Sequence, residues 1–188
     1  MDEKALIKAL ILGQDSAYST LFDTYGILVY NVALKIMQNK EDAEDIVQEV
    51  FAEVVKSIAK FKNESSLKTW LYKITSNKAL DTLRKRNRKK RFAFTVSKDS
   101  NTEAKQVGHF IHPGVQLEQK EMVNYLYLAL SKLPERQQLA FTLHKMEGLS
   151  YKEICDIMET TLPTVETLIH RAKKQLQVLL ASYYATLN

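Results

Sequence analysis

Three groups of side chains in this sequence have the types and spacing to act on something outside the chain. The first is acidic. In "EDAEDIVQEVFAEVV", residues 41–55, Glu41, Asp42, Glu44, Asp45, Glu49 and Glu53 occur without one Lys or Arg. On a helix Asp42, Asp45, Glu49 and Glu53 fall on the face opposite an apolar stripe. Such a face is either solvated surface or a dock for a basic partner. The second group is basic. Residues 61–91, "FKNESSLKTWLYKITSNKALDTLRKRNRKKR", carry eleven Lys and Arg against Glu64 and Asp81 alone. If they form a helix to about residue 88, Trp70, Lys73, Asn77, Arg84 and Arg88 share one broad face. Cations, an aromatic ring and an amide suit a nucleic-acid strand whose bases are unstacked. The apolar neighbours Leu67, Leu71 and Ile74 also allow Trp70 a place in the core. The run 84–91 suits phosphate contact. The third group lies in "TTLPTVETLIHRAK", residues 160–173: Thr164, Thr167 and Arg171 share a face with Lys174 just beyond. Hydroxyls, a helix N-terminus and two late cations can hold phosphate, and Glu166 can accept from a cytosine amine.

Covalent or metal chemistry finds little support in the residue types. "SIAK", residues 57–60, has a Ser-x-x-Lys spacing, but Ile58 places it on a buried face and no partner motif follows. His109 and His112 stand beside Pro113 without further ligands, so no metal and no cofactor is expected. His144 and His170 read as helix residues, and no glycine-rich phosphate loop exists. Cys155 is the one cysteine, so no intramolecular disulfide can form, and it reads as a small core residue.

The elements that must position these groups are helices. The chain has 188 residues, 45% hydrophobic and 26% charged, with a net charge of +5. Leu21, Phe22, Tyr25, Leu28, Val29, Val32, Ala33, Ile36 and Met37 form one helical stripe; Ile46, Val47, Val50, Phe51, Val54, Val55 and Ile58 form a second. No strand alternation extends over a useful length, so the fold class is all-α. The start, "MDEKALIKALILGQDSAY", reads as an amphipathic helix rather than a signal peptide, and no apolar run reaches the roughly 18 residues of a membrane span. The expected location is the cytoplasm. Residues 92–116 are polar, lack periodicity and end in Gly and Pro, which predicts a flexible linker. Two small helical domains result, 1–91 and 117–188.

The second domain is clearly punctuated. Pro134 begins one helix, carrying Leu139, Ala140, Leu143 and Met146 inward, and Gly148 ends it. Ser150 and Glu153 make a capping box for a short helix that buries Ile154, Cys155 and Ile157 or Met158. The turn "ETT" follows. Thr161 caps the last helix with Pro163 in its first turn, and Val165, Leu168, Ile169, Ala172, Leu176 and Leu179 face inward. Two helices across a short turn are a helix-turn-helix.

Taken together, "DAEDIVQEVF", "NESSLKTWLYKITSNKALDTLRKR", "LPERQQLAF" and "EGLSYKEICDIM…TVETLIHRAKKQL" resemble the extracytoplasmic-function (group 4) sigma factors of the bacterial sigma-70 family, Bacteroidetes members in particular. The resemblance spans most of residues 15–180. It implies a dissociable subunit of RNA polymerase that recognises and melts promoters, without enzymatic activity of its own. Asp42, Asp45, Gln48, Glu49 and Glu53 would then dock on the clamp helices of the β′ subunit, and the C-terminal domain on the β flap. Asn63, Glu64, Ser65, Ser66, Lys68, Trp70, Lys73, Asn77, Arg84 and Arg88 would capture the minus-ten element. Thr161, Thr164, Glu166, Thr167, His170, Arg171 and Lys174 would read the minus-thirty-five element. An anti-sigma factor wedged between the domains is the expected regulator. Leu67 stands where the family often has Phe, and Glu166 and Leu168 where it often has Lys and Arg. The competing reading, a stand-alone helix-turn-helix regulator, needs a dimer interface that the acidic face and long linker do not suggest.

Overall fold

The computed structural model describes residues 2–61, 65–96 and 120–186, and the side chains within 2–61, 65–89 and 121–181. Every element among the described residues is helical. Contacts gather the chain into two compact units, residues 1–79 with 152–160, and residues 80–151 with 161–188.

The first unit begins with α1 (Glu3–Ile11), which buries Leu6, Ile7, Ala9 and Leu10. Gly13 ends it with φ +71°, a backbone state that costs a side-chain-bearing residue energy. α2 (Asp15–Met37) buries Leu21, Val29, Val32, Ala33 and Ile36. It stops at Gln38, a left-handed residue with φ 55° whose N–H closes on the Leu34 carbonyl at 2.8 Å. Asn39 then starts α3 (Lys40–Ser57), its side chain accepting the Asp42 N–H at 2.8 Å. α3 packs along α2 through Ala43, Ile46, Val50 and Val54.

Both apolar stripes form helices as their spacing predicts, but not every stripe residue is core. Phe22 is 52% exposed and Val55 56% exposed. They lie at the edge of the α2–α3 contact, where the Phe22 and Phe51 rings meet at 5.0 Å. A 3₁₀ turn, Ile58–Lys60, follows α3 and packs against α1.

α4 runs from Leu67 to Val96. Ser66 is its cap: its hydroxyl accepts the Thr69 N–H at 3.1 Å and meets the Thr69 hydroxyl at 2.9 Å. Leu67 and Leu71 are fully buried. The helix extends five residues into the stretch that polarity alone marks as linker. No Gly or Pro interrupts residues 88–96, so nothing there stops a helix. The rest of the expected linker, 97–116, lies outside the described residues.

The second unit has its core where α5 (Lys120–Ser131) meets α8 (Leu162–Thr186). Tyr127, Leu130, Leu133, Ala172 and Leu176 are buried there, with Val123, Leu126 and Leu179 half-buried around them. Burial pushes the Tyr127 hydroxyl up to about 12, and the Glu147 charge adds to the effect. α6 (Glu135–Phe141) buries Leu139 and Ala140 and packs on α8. The same run then widens into a π-helical segment, Thr142–Met146, where the Glu147 N–H reaches the Thr142 carbonyl at 3.1 Å. Sequence spacing, which predicts one regular helix there, does not register this change. Gly148, with φ +71°, ends the run as expected. His144 is a satisfied helix residue: Nδ1 donates to the Leu149 carbonyl at 3.0 Å and the ring meets Tyr151 edge-on.

α7 (Tyr151–Met158) starts directly after Ser150 and buries Ile154 and Ile157. Cys155 and Met158 are only half-buried, because the wholly buried positions are those three residues apart on one side. The turn 159–161 leads into α8, with Glu159 left-handed at φ 47°.

Candidate functional site

The acidic group is carried on α3 and remains at the surface. Asp45, Gln48 and Glu49 are exposed, and Asp42 and Glu53 are half-buried. The face is not electrostatically uniform. Lys78, one turn below Ile74 on α4, lies 3.7 Å from both Glu49 and Glu53. These two carboxylates are partly neutralised within the unit, although at such exposure the pairs contribute little stability. Gln48, with Glu44, lines a shallow groove of about 660 Å³ between α2 and α3, whose lining also includes Phe22, Ile27, Val47 and Phe51. Ile27 is 74% exposed there. Sequence reasoning assigned Phe22, Val47 and Phe51 to core stripes and so missed an apolar strip beside the acids. The signal available to it was Ile27, an apolar residue outside the stripe of α2.

The basic group lies on α4. Lys68, Asn77, Arg84 and Arg88 are exposed, and Trp70 and Lys73 are half-buried. The Trp70 ring packs on Phe61 at 5.0 Å, which leaves it neither a pure core residue nor a free stacking platform. Arg84 shares its charge with Asp81 at 3.3 Å, and Lys68 lies 5.9 Å from the centre of the Tyr72 ring. Ser65 and Ser66 flank the helix start, Ser66 as the cap. Asn63 and Glu64 lie outside the described residues.

The third group stands on α8 with its apolar and polar residues separated as the spacing requires. Val165, Ile169, Ala172 and Leu176 are buried, while Thr161, Thr164, Glu166, Thr167, His170, Arg171 and Lys174 are all exposed. Leu168 is half-buried. The Thr161 hydroxyl meets the Thr164 hydroxyl at 2.9 Å, and that of Thr167 donates to the Pro163 carbonyl at 2.8 Å. A helix N-terminus with these hydroxyls, followed by two cations a turn or more later, can hold a phosphate backbone while its first turns meet base edges. Among the described residues no helix is long and apolar enough to cross a membrane.

Two family models match successive stretches of the chain. Residues 21–89 match the model of sigma-70 region 2, and residues 124–176 that of sigma-70 region 4. The chain is 29% identical to the ECF RNA polymerase sigma-E factor of Haemophilus influenzae, covering 94% of each chain. It is 28% identical to the ECF RNA polymerase sigma factor SigW of Bacillus subtilis, covering 93% of this chain and 94% of that one. Among solved structures, CnrH in complex with the cytosolic domain of CnrY shares the fold with a TM-score of 0.68 at 19% identity, over 96% of this chain and 97% of that one. Acidic α3, basic α4 and the exposed face of α8 thus fall inside two matched regions that occur in the same order, and the chain belongs to the extracytoplasmic-function group of the sigma-70 family.

Proposed function

We infer that this protein is a sigma factor that docks on core RNA polymerase in the cytoplasm, directs it to two promoter elements, and promotes melting of the duplex at one of them. The observation that carries this reading is the ordered pair of region 2 and region 4 matches on one chain. No covalent step is assigned to the protein. Binding free energy does the work: unpaired bases held by the first region shift the duplex towards its open form. An anti-sigma factor is the proposed regulator, because the sigma factor RpoE of Bartonella quintana, a structure of similar fold, is bound to the anti-sigma factor NepR.

The residue assignments rest on exposure and charge. Asp42, Asp45 and Gln48, with Glu49 and Glu53 behind them, are proposed to meet β′, and the α2–α3 groove to take an apolar side chain from the same surface. Ser65, Ser66, Lys68, Trp70, Lys73, Asn77, Arg84 and Arg88 are assigned to the minus-ten element, together with Asn63 and Glu64. Thr161, Thr164, Glu166, Thr167, His170, Arg171 and Lys174 are assigned to the minus-thirty-five element. Asp45→Lys is the cleanest probe of docking, because Asp45 lies outside the Lys78 pairs that a change at Glu49 would also break. It is expected to abolish co-elution with core polymerase while leaving the urea unfolding midpoint in place; retained co-elution would remove the docking assignment.

The function as a whole is tested by size-exclusion co-elution with bacterial core polymerase, then run-off transcription from genomic fragments. Co-elution with new promoter-specific transcripts supports a sigma factor. Tight DNA binding by the free protein without co-elution would favour a stand-alone regulator instead.

A further inference from the structure

The first turn of a helix leaves backbone N–H groups without helical partners. At the start of α4 two of them are satisfied by different means. Ser66 takes the Thr69 N–H locally. The Leu67 N–H is taken by the carboxylate of Glu3, 64 residues earlier, at 3.2 Å from Oε1. Glu3 thus places a negative charge at the positive end of the α4 dipole, although by sequence it reads only as a first-turn acid of its own helix.

Glu3 is itself held in place. α1 is seated by buried Leu6, Ile7 and Leu10, and the Tyr18 hydroxyl of α2 donates to the Leu10 carbonyl at 3.1 Å. The Tyr25 hydroxyl, also on α2, hydrogen-bonds Glu3 and is pushed above its ordinary range by burial, and then by the Glu3 charge. α1 also packs against the 3₁₀ turn at Ile58–Lys60. The start of α4 is therefore referenced through one carboxylate to both α1 and α2.

We propose that Glu3 is a positioning residue for promoter melting: by accepting the Leu67 N–H it fixes the first turn of α4, and with it Ser65, Ser66, Lys68 and Trp70. This rests on the assignment of those four residues to the minus-ten element. Nothing in Glu3 itself needs to touch DNA.

The test compares Glu3→Ala with Glu3→Gln, which keeps an acceptor oxygen. Amide hydrogen exchange in the free protein reads the contact without reference to function. Glu3→Ala should speed exchange at Leu67 about tenfold, on the scale of losing a hydrogen bond to a charged group, while the α2–α3 core stays protected. Each variant is then assembled with core polymerase. Binding is measured to a fork-junction DNA exposing a single-stranded minus-ten element, and to a duplex carrying only the minus-thirty-five element. Both sequences come from a promoter recovered by run-off transcription. Fork binding should fall about tenfold for Glu3→Ala, with Gln recovering most of it and duplex and core binding unchanged. Fork binding within about twofold of the parent would overturn the proposal, as would equal losses on both DNAs or faster exchange across the whole unit. If the parent holoenzyme itself ignores the fork, the minus-ten assignment fails and the positioning role with it, and the exchange result then reports a helix cap only.

Discussion

Asn39 and Ser66 cap α3 and α4 by the same geometry, a side-chain oxygen accepting the N–H three residues on. Replacing either with Ala should cost about 1 kcal/mol, read from urea unfolding. Only Ser66→Ala should also weaken permanganate reactivity of the melted promoter in the assembled holoenzyme, since only Ser66 stands on the assigned minus-ten face. An equal loss in Asn39→Ala would mean that stability alone explains the effect. A second residue-scale prediction concerns Tyr127. Its folded pKa, about 12, exceeds the ordinary value of 10.0, so the folded state holds the proton more tightly. The stabilisation is complete below that ordinary value and is lost as pH rises through the folded one. Tyr127→Phe should flatten that part of the thermal-stability profile between about pH 10 and about pH 12; a profile of unchanged slope would show that the hydroxyl is not held as described. A serine cap for α4 could be read from sequence, as either Ser65 or Ser66, because a cap immediately precedes its helix; the Thr69 N–H decides for Ser66. The pairing of Lys78 with Glu49 and Glu53, and the reach of Glu3 to Leu67, could not, because those partners are distant in the chain and meet only when helices pack.

Periodicity transfers to elements where one face is buried and the other is not. α8 is the clearest case, and its start was legible because Pro163 is tolerated only in a first turn. Two features escaped that logic. The π-helical widening at Thr142–Met146 changes the period within a run whose residue types suit either geometry. The end of α4 runs past the basic segment into residues 92–96, where no Gly or Pro stops a helix although the stretch they begin reads as linker. Phe22 and Val55 show the limit from the other side: a stripe states which residues are apolar, and the neighbour decides which of them are covered. α8 also carries a prediction of its own. Arg171→Ala and Lys174→Ala should each lower the slope of log affinity against log salt by about 1 in holoenzyme binding to a minus-thirty-five duplex, if each neutralises one phosphate. Loss of core binding in Arg171→Ala would place that residue on a polymerase surface instead.

At the scale of the whole molecule, the distribution of charge says more than its sum. Residues 61–91 carry a net +9 in a chain of net +5, which leaves the remainder at −4. Such a chain does not coat DNA evenly; it offers phosphate one strongly basic segment, while the α8 face mixes Glu166 with its cations. On the proposed assignments, occupancy of a promoter depends on both regions acting together. Coupling two sites on one ligand raises affinity over either alone by about 100- to 10,000-fold when the geometry permits both, and by nothing when it does not. The holoenzyme should therefore bind a duplex with both elements far more tightly than one with either. Inserting about half a helical turn, roughly 5 base pairs, between them turns one element to the opposite side of the duplex and should return affinity to that of a single element. Inserting a full turn restores the facing but stretches the span, so recovery should be partial. Competition binding with these duplexes separates the cases. Undiminished affinity at half a turn would mean that the regions bind independently, and the two-element reading of this protein would have to be abandoned in favour of a single DNA-reading helix with an unrelated N-terminal surface.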